Sequence, residues 1–416
     1  MSRITPLKTV NSVDYVHQVF SHYRSGDMIA LNVPREDLES LDEILSPFDA
    51  QSLLIPNAGG GWIEEHLPVI DEDVPAQVMF TSGTGGRPKV ILHHHKSFAD
   101  VVERLNTMMQ VDDSIREYVG VPVCHAFGLG RCRAVATAGG RSYIPENGFD
   151  LIECRRMLAR GEINAISMVP TLCRVLLARP ELFGQVGENV RWIEIGTQFM
   201  HVDEKKLLKE IFPNARIVQQ FGLTEAPRSS LLAVDQVPEE YLSSVGTPYG
   251  NAKTAISVEG HILVSGPHVA AGILNGGVIT PLTNEYGWLD THDQGRVVDG
   301  YLYFEGRSDD LINCGGINID PEQLQQRAAL ILNAPSNIAI CGCTDPLWGQ
   351  GILAAVEQGT NISTQDVTAA VQSALKSMGI GSISAILVRY VGEIPRTASG
   401  KIRRRQLASQ YEGNHT

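Results

Sequence analysis

Five short stretches of this 416-residue chain gather side chains that could hold phosphate, a cation or a sugar. The first is Phe80–Val90, FTSGTGGRPKV. Thr81, Ser82 and Thr84 supply hydroxyls, Gly83, Gly85 and Gly86 let a backbone approach a ligand closely, and Lys89 adds a mobile positive charge. Placed after a strand and before a helix, such a loop can aim backbone N–H groups at phosphate oxygens. It lacks the Gly-Lys-Ser/Thr ending of a nucleotide P-loop, so a P-loop NTPase does not fit. The competing reading is a plain surface loop.

Second, Gln219–Ala226, QQFGLTEA, ends an apolar strand in Phe221 and Gly222 and then places Thr224 and Glu225. Ligands bind at the C-terminal ends of parallel strands, and a carboxylate there can take Mg2+, which prefers oxygen ligands. Alternatively, Thr-Glu begins a helix. Third, Gly287–Gly306 places Asp293 after a turn, where its carboxylate could accept from both hydroxyls of a ribose. Asp290 competes, and an ordinary turn acid is the bland reading. Fourth, Arg307–Glu322, RSDDLINCGGINIDPE, has paired acids before Gly315 and Gly316 at a domain boundary, which suggests a hinge. Fifth, Pro395–Leu407, PRTASGKIRRRQL, sets Lys401 after a flexible lead-in. A basic cluster is usually a solvated face; chemistry would need Lys401 delivered into another domain's site.

The elements around these stretches alternate. From Ala76 onward AQVMFTSG, EYVGVPV, NAISMVP, RWIEIG and ARIVQQFG read as strands. HKSFADVVERLNTMMQ, FDLIECRRMLARG, TLCRVLLARPEL and VDEKKLLKEIFP read as amphipathic helices between them. That pattern implies βαβ units and a mostly parallel sheet covered on both faces. Residues 1–75 are less regular: VDYVHQVFSHY reads as helix, DMIALNVP and AQSLLIPN as strands, NAGGGW as a turn. After Gly246, TAISVEGHILVSG and GRVVDGYLYFEGR read as short antiparallel strands with glycine turns. Past Arg307 comes helix DPEQLQQRAAL, strand NIAICGC, helix TQDVTAAVQSALKSM and strand AILVRYV. The expected fold is therefore α/β. A large N-terminal domain, 1–307, would hold mostly parallel covered sheets and a small antiparallel section. A small mobile α+β domain, 308–416, would follow.

Composition narrows the class. The chain is 43% hydrophobic and 19% charged, ordinary for a globular enzyme with a sizeable core. A net charge of −13 argues against nucleic acid or an anionic membrane as the main partner. The seven cysteines are odd in number and form no CxxC pair. Cys341 and Cys343, in NIAICGCTD, read as buried strand thiols rather than metal ligands. Reduced thiols suit a cytoplasmic protein. No signal-peptide pattern and no membrane-span-length apolar run is present.

Taken in order, TSGTGGRPK, FGLTEA, GWLDTHD, GRSDDLINCGGINIDPEQL and PRTASGKIRRRQL resemble the motifs of the adenylate-forming superfamily. That superfamily comprises acyl- and aryl-CoA synthetases, adenylation domains and luciferase. The resemblance covers roughly Val78 to Leu407. It implies a two-step reaction: a carboxylate attacks the α-phosphorus of ATP with Mg2+, releasing pyrophosphate, and a thiol then displaces AMP. By similarity, Thr81 to Lys89 hold the pyrophosphate portion, Thr224 contacts the α-phosphate, and Glu225 with Thr84 serves the metal. Asp293 and Arg307 hold the ribose. Lys401 bridges carboxylate and α-phosphate, and Asp309 is the hinge that brings Gly315 and Gly316 to the pantetheine tunnel. His125, in PVCHAFGLG, matches the position between acyl pocket and tunnel; the alternative is a satisfied core histidine.

The chain also departs from the family pattern. Gly85 stands where a threonine is usual, Val90 where a glycine is usual, and THD replaces TGD. The loss of one hydroxyl would weaken phosphate grip by only about 0.5–1.5 kcal/mol. Typical members carry a longer N-terminal part, so the first subdomain, 1–75, is expected to be abbreviated, with a homodimer covering an exposed apolar face. The acyl pocket is expected around Gly196, Thr197, Gln220, Phe221 and Gly222. Bulky polar Gln220 and the Thr197-Gln198 pair favour a small aryl or short polar acyl acid over a long fatty acid. No acid in HAFGLGRCRAVA would bind an α-amino group. The acceptor is coenzyme A, or alternatively a carrier-protein phosphopantetheine. A non-catalytic scaffold homologue is the reading from another class; intact Thr84, Glu225, Asp293, Arg307 and Lys401 oppose it.

Overall fold

The computed structural model describes residues 3–33, 44–45, 48–81, 89–196, 200–275, 277–307, 311–314, 317–334, 336–345, 347–378, 380–396 and 400–411. Ser82, Gly83, Thr84, Gly85, Gly86, Thr197, Gln198, Asp309, Gly315 and Gly316 lie outside the described residues, as do the side chains of Thr81 and Arg307. The chain forms two compact units. One comprises Met1–Ser257, Ile262–Thr291 and Val297–Tyr303; the other comprises Val258–His261, His292–Arg296 and Phe304–Thr416.

In chain order the elements begin β1 (Arg3–Pro6), α1 (Val13–Ser25), β2 (Met28–Leu31), β3 (Asp49–Ala50), β4 (Gly61–Ile63), β5 (Pro75–Thr81), β6 (Lys89–His94), α2 (His95–Met109), β7 (Arg116–Val119), α3 (Ala126–Thr137) and β8 (Arg141–Ile144). They continue α4 (Leu151–Ala159), β9 (Ala165–Met168), α5 (Pro170–Leu177), β10 (Trp192–Gly196), α6 (Val202–Ile211), β11 (Arg216–Leu223), β12 (Ala226–Ala233), β13 (Lys253–Ile256), β14 (His261–Ser265), β15 (Gly272–Asn275), β16 (Val278–Thr280), β17 (Leu289–Val298) and β18 (Tyr301–Arg307). The last are β19 (Ile312–Cys314), β20 (Ile317–Ile319), α7 (Pro321–Ile331), β21 (Ile338–Asp345), β22 (Gly349–Glu357), α8 (Thr364–Ser377), β23 (Ile386–Val391) and α9 (Arg404–Ser409).

Two seven-stranded sheets build the first unit, ordered β16-β15-β6-β5-β2-β1-β3 and β12-β11-β10-β9-β7-β8-β4. The second is parallel from β8 through β11, with antiparallel β4 and β12 at its edges. Alternation along β10 explains how it is covered on both faces. Ile193 and Ile195 pack with Leu158 of α4, Cys173 of α5 and Leu208 of α6. Trp192 packs with Val102 of α2 and Val135 of α3. Helices α2 and α3 also give Phe98, Phe127 and Leu129 to the core around Leu31 and Met79 of the first sheet. Both helices are thus buried between two sheets.

The second unit centres on β22, which pairs with β19 and β21 antiparallel and with β23 parallel. Leu324 of α7 and Val371 of α8 cover one face of that sheet; Leu407 of α9 packs with Cys341 and Cys343 on the other. All seven cysteines are free and buried, and the strand reading of Cys341 and Cys343 holds. Strands β13, β14, β17 and β18 form a further four-stranded sheet, as the glycine-punctuated runs after Gly246 suggested. Among the described residues no helix is long and apolar enough to cross a membrane.

Several expectations need correcting. The Gly-rich stretch does not run from a strand into a helix. It joins β5 to antiparallel β6, with Thr81 opposite Lys89, and α2 starts only at His95. The apolar, partly β-branched run KVILHH pairs with β5 before any helix can begin. Thr224 and Glu225 do not open a helix either; they are the turn between antiparallel β11 and β12. AQSLLIPN supplies only Ala50, the second residue of β3, and a single bridge from Leu54 to Leu7. Helix α3 and the central strand β22 were not foreseen.

Candidate active site

Because β7, β9, β10 and β11 are parallel, their C-terminal ends share one edge of the second sheet. Gly196 ends β10, and Gln220 stands opposite it on β11. The Gln220 side chain is buried, and its Oε1 has no hydrogen-bond partner among the described residues. Its amide lies over Gly196, where a Cβ would come within 2.3 Å of Nε2. Phe221 and Gly222 follow in an irregular stretch of the β11–β12 pairing. A Cβ on Gly222 would meet the Arg228 backbone nitrogen at 2.4 Å, so the fold-back of β12 requires glycine there. Arg228 itself adopts φ 56°, a left-handed conformation uncommon outside glycine.

Thr224 and Glu225 form the turn that this fold-back creates, and both are half-buried. The Ala270 N–H donates to the Glu225 carbonyl at 2.8 Å and ties the turn down. The Glu225 carboxylate has no hydrogen-bond or ion-pair partner among the described residues, which leaves its oxygens available to a cation. His125 precedes α3 in extended conformation, φ −105° and ψ 157°, and is half-buried. It stands at the entrance of the helix. Its neighbour Ala126 and Thr224 line one cavity of about 30 Å³, together with Gln77, His93, Arg133 and Pro227. Burial lowers the His93 pKa to about 4, against a hydrogen bond to the Thr224 backbone, so this imidazole is neutral at physiological pH.

Behind this edge lies a charged network that sequence reading missed. Arg131 is fully buried; its Nε donates to Glu117 at 3.2 Å and its Nη1 to Glu194 at 2.7 Å. Arg228 Nε donates to Glu194 at 2.8 Å. Burial pushes the Glu194 carboxyl up, but Arg228 and Arg131 outweigh it and hold it below the usual range. Burial leaves Glu117 raised even with Arg131 beside it. A signal was present in GLGRCRAVAT, where two arginines interrupt an otherwise small and apolar helix.

In the second unit β17 buries Asp293, while Asp290 on the same strand is more exposed. Between them His292 holds φ 56°, a conformation that favours glycine. Arg307 ends β18. Lys401 is exposed, on a segment whose ends are tied by the Arg396–Ile402 bridge and by the Arg403 N–H donating to the Pro395 carbonyl at 2.8 Å. Of the expected residues, the structure thus gathers Gly196, Gln220, Phe221, Gly222, Thr224 and Glu225 at one sheet edge, and pairs Thr81 with Lys89.

Comparison with known proteins fits this arrangement. Residues 17–274 match the AMP-binding enzyme family. A 2-succinylbenzoate–CoA ligase of Listeria monocytogenes serovar 1/2a is 28% identical over 350 residues, spanning 83% of this chain and 72% of that relative. A sulfoacetate–CoA ligase of Cupriavidus necator is 26% identical over 355 residues, 82% of this chain and 68% of that relative. Among solved structures, o-succinylbenzoate CoA synthetase (MenE) of Bacillus subtilis with its acyl-adenylate intermediate superposes with TM-score 0.78 at 22% identity, covering 97% of this chain and 88% of that one. ATP-bound MatB of Rhodopseudomonas palustris gives TM-score 0.74 at 20% identity, covering 100% and 90%. The two structures speak to the fold, and the match over 17–274 speaks to descent: the chain belongs to the AMP-binding enzyme family.

Proposed function

We propose that this protein activates a small carboxylic acid with ATP and transfers the acyl group to the thiol of coenzyme A. In the first step a carboxylate oxygen bonds to the α-phosphorus as the bond to pyrophosphate breaks. In the second, the thiol sulfur bonds to the acyl carbon, the thiol proton is lost and AMP leaves. The observation that carries this reading is the Thr224–Glu225 turn: a carboxylate with no partner among the described residues beside a hydroxyl, at the C-terminal ends of parallel strands, inside the stretch matched by the AMP-binding family. The names of relatives, ligases of 2-succinylbenzoate and sulfoacetate with CoA, support the reaction class.

In this reading Thr224 contacts the α-phosphate, and Glu225 with Thr84 holds Mg2+, which supplies neutralising charge on the phosphates when bound. The stretch Thr81 to Lys89 takes the pyrophosphate portion. Asp293 and Arg307 hold the ribose, and Lys401 bridges the carboxylate and the α-phosphate. Asp309 is the hinge, Gly315 and Gly316 approach the pantetheine, and His125 separates acyl pocket from thiol entry. Buried Gln220 and the packed Arg228 leave room for a small aryl or short polar acyl acid rather than a long chain. A carrier-protein phosphopantetheine is the alternative acceptor. The free thiols suit a cytoplasmic setting. A homodimer is part of this reading, and light scattering at micromolar concentration that returns a monomer would remove it.

Carboxylate-dependent ATP–pyrophosphate exchange tests the reaction. We expect exchange with one acid class and its loss in Lys401→Ala. Exchange with none, together with no ATP binding by calorimetry, would reject adenylation.

A further inference from the structure

Arg131, Glu117, Glu194 and Arg228 balance one another, two cations against two carboxylates. Arg133, two residues further along α3, is not balanced. It is only 5% exposed, yet no carboxylate among the described residues pairs with it. Its Nη2 donates to the neutral Gln77 Oε1 at 3.1 Å, and its guanidinium stacks 3.8 Å from the Phe98 ring centre. Its Nε has no acceptor among the described residues. Burial lowers its pKa to about 10, so it remains charged at neutral pH. A buried charge without a counterion is strongly disfavoured.

The compensation has an evident place to come from. Arg133 lines the cavity of about 30 Å³ beside Thr224, and His93, on the same wall, also has a buried Nδ1 without a partner among the described residues. At about 10–15 Å³ per water, the space takes about two waters or one carboxylate. Neutral His93 offers an anion nothing, since its one ring N–H is used by the Thr224 backbone. The buried Arg133 cation, lining a carboxylate-sized space next to the Thr224 turn with its Nε lacking an acceptor among the described residues, is what describes an anion subsite.

We infer that this cavity receives a second anionic group of the substrate, so that the acid activated is a short dianion with its far carboxylate held by Arg133. This rests on the adenylation reading for the role of the near carboxylate. Arg133 recognises the substrate and takes no part in bond making, so it sets specificity. A charge-assisted hydrogen bond of about 1.5–3 kcal/mol corresponds to roughly ten- to hundredfold in affinity.

The test is calorimetry on the full chain saturated with a non-cleavable ATP analogue. It is titrated with dicarboxylates of three to six carbons and phthalate, each against its monomethyl ester, with ATP–pyrophosphate exchange run in parallel. We expect at least one diacid to bind at least about tenfold more tightly than its half-ester. In Arg133→Met that ratio should fall below about threefold, while the melting temperature stays level or rises because an uncompensated buried charge is gone. Half-esters binding as well as every diacid, or a preference that survives in Arg133→Met, would overturn the inference. Should Arg133→Met not fold, the wild-type ratio and Arg133→Lys, which keeps charge but not the planar fork, decide it. Selective diacid binding without exchange would keep the subsite and reject adenylation. Exchange driven equally by monoacids would reject the subsite alone, and neither binding nor exchange would reject both.

Discussion

Gly196 and Gln220 face each other across the parallel pairing of β10 and β11, and the Gln220 amide fills the space that a side chain at 196 would need. A Cβ there would stand 2.3 Å from Nε2, 3.1 Å from Cδ and 3.2 Å from Cγ. The strands are held in register along their whole length, so the backbone cannot yield and the glutamine must. Gly196→Ala is therefore expected to displace the Gln220 amide and to destabilise the protein by about 1–3 kcal/mol, the range for overpacking. Gln220→Ala on the same background should recover most of that loss. Urea midpoints of both single variants and the double variant measure the coupling; simple additivity would show that the amide does not occupy this space.

The network behind the site makes a second expectation. Glu194 holds two arginines at 2.7 and 2.8 Å with no solvent contact. Glu194→Ala removes the shared carboxylate and strands two buried cations, which should cost about 3–5 kcal/mol. Glu194→Gln keeps shape and one acceptor and should cost less. Equal melting temperatures for Glu194→Ala and wild type would contradict the network's role in holding β10, α3 and β12 together.

Much of this was legible in the sequence, and the exceptions have physical causes. Helices α2, α4, α5 and α6 and the strands around them could be read because each helix keeps one polar face and each strand is apolar. Helix α3 could not, because it is buried between two sheets and shows no amphipathic period. Strand β22, GQGILAAVE, was passed over; it opens on two glycines, which strands disfavour. At the site, motif order pointed to Thr224, Glu225 and Gln220, while the hairpin they sit on depends on β12 folding back, a tertiary fact. Arg133 was illegible for a different reason: whether an arginine is unpaired depends on which carboxylates the fold brings near it.

His292 offers a third expectation. At φ 56° a β-branched or long side chain is disfavoured by about 1–2 kcal/mol relative to its ordinary conformation. Glycine adopts this φ freely but loses more entropy on folding, by about 0.5–1 kcal/mol. His292→Gly should therefore be stabilising or neutral, within about 1 kcal/mol, although it removes the edge-on contact with His261 at 5.4 Å. A loss well beyond that on thermal denaturation would mean the imidazole is held for a purpose.

Asp320 gives the last expectation, and its sign is set by burial. It caps α7, accepting from the N–H groups of Glu322 at 2.7 Å and Gln323 at 3.2 Å. Burial, reinforced by Glu322, raises its pKa to about 6 despite those hydrogen bonds and Arg404. The folded pKa thus exceeds the unfolded value, so the fold favours the protonated acid. This contribution is complete below the unfolded pKa of about 4 and is lost as pH rises through about 6. A shift of about two units corresponds to roughly 3 kcal/mol. An asparagine side chain at this position would stay neutral at every pH and still accept at the N-cap. Asp320→Asn should match wild type near pH 4 and slow hydrogen exchange of the α7 amides at pH 8. The difference should open between about pH 4 and 6 and stay flat above. Faster α7 exchange in Asp320→Asn at pH 8 would mean that the ionised carboxylate is the form the cap needs, reversing the sign argued from its burial.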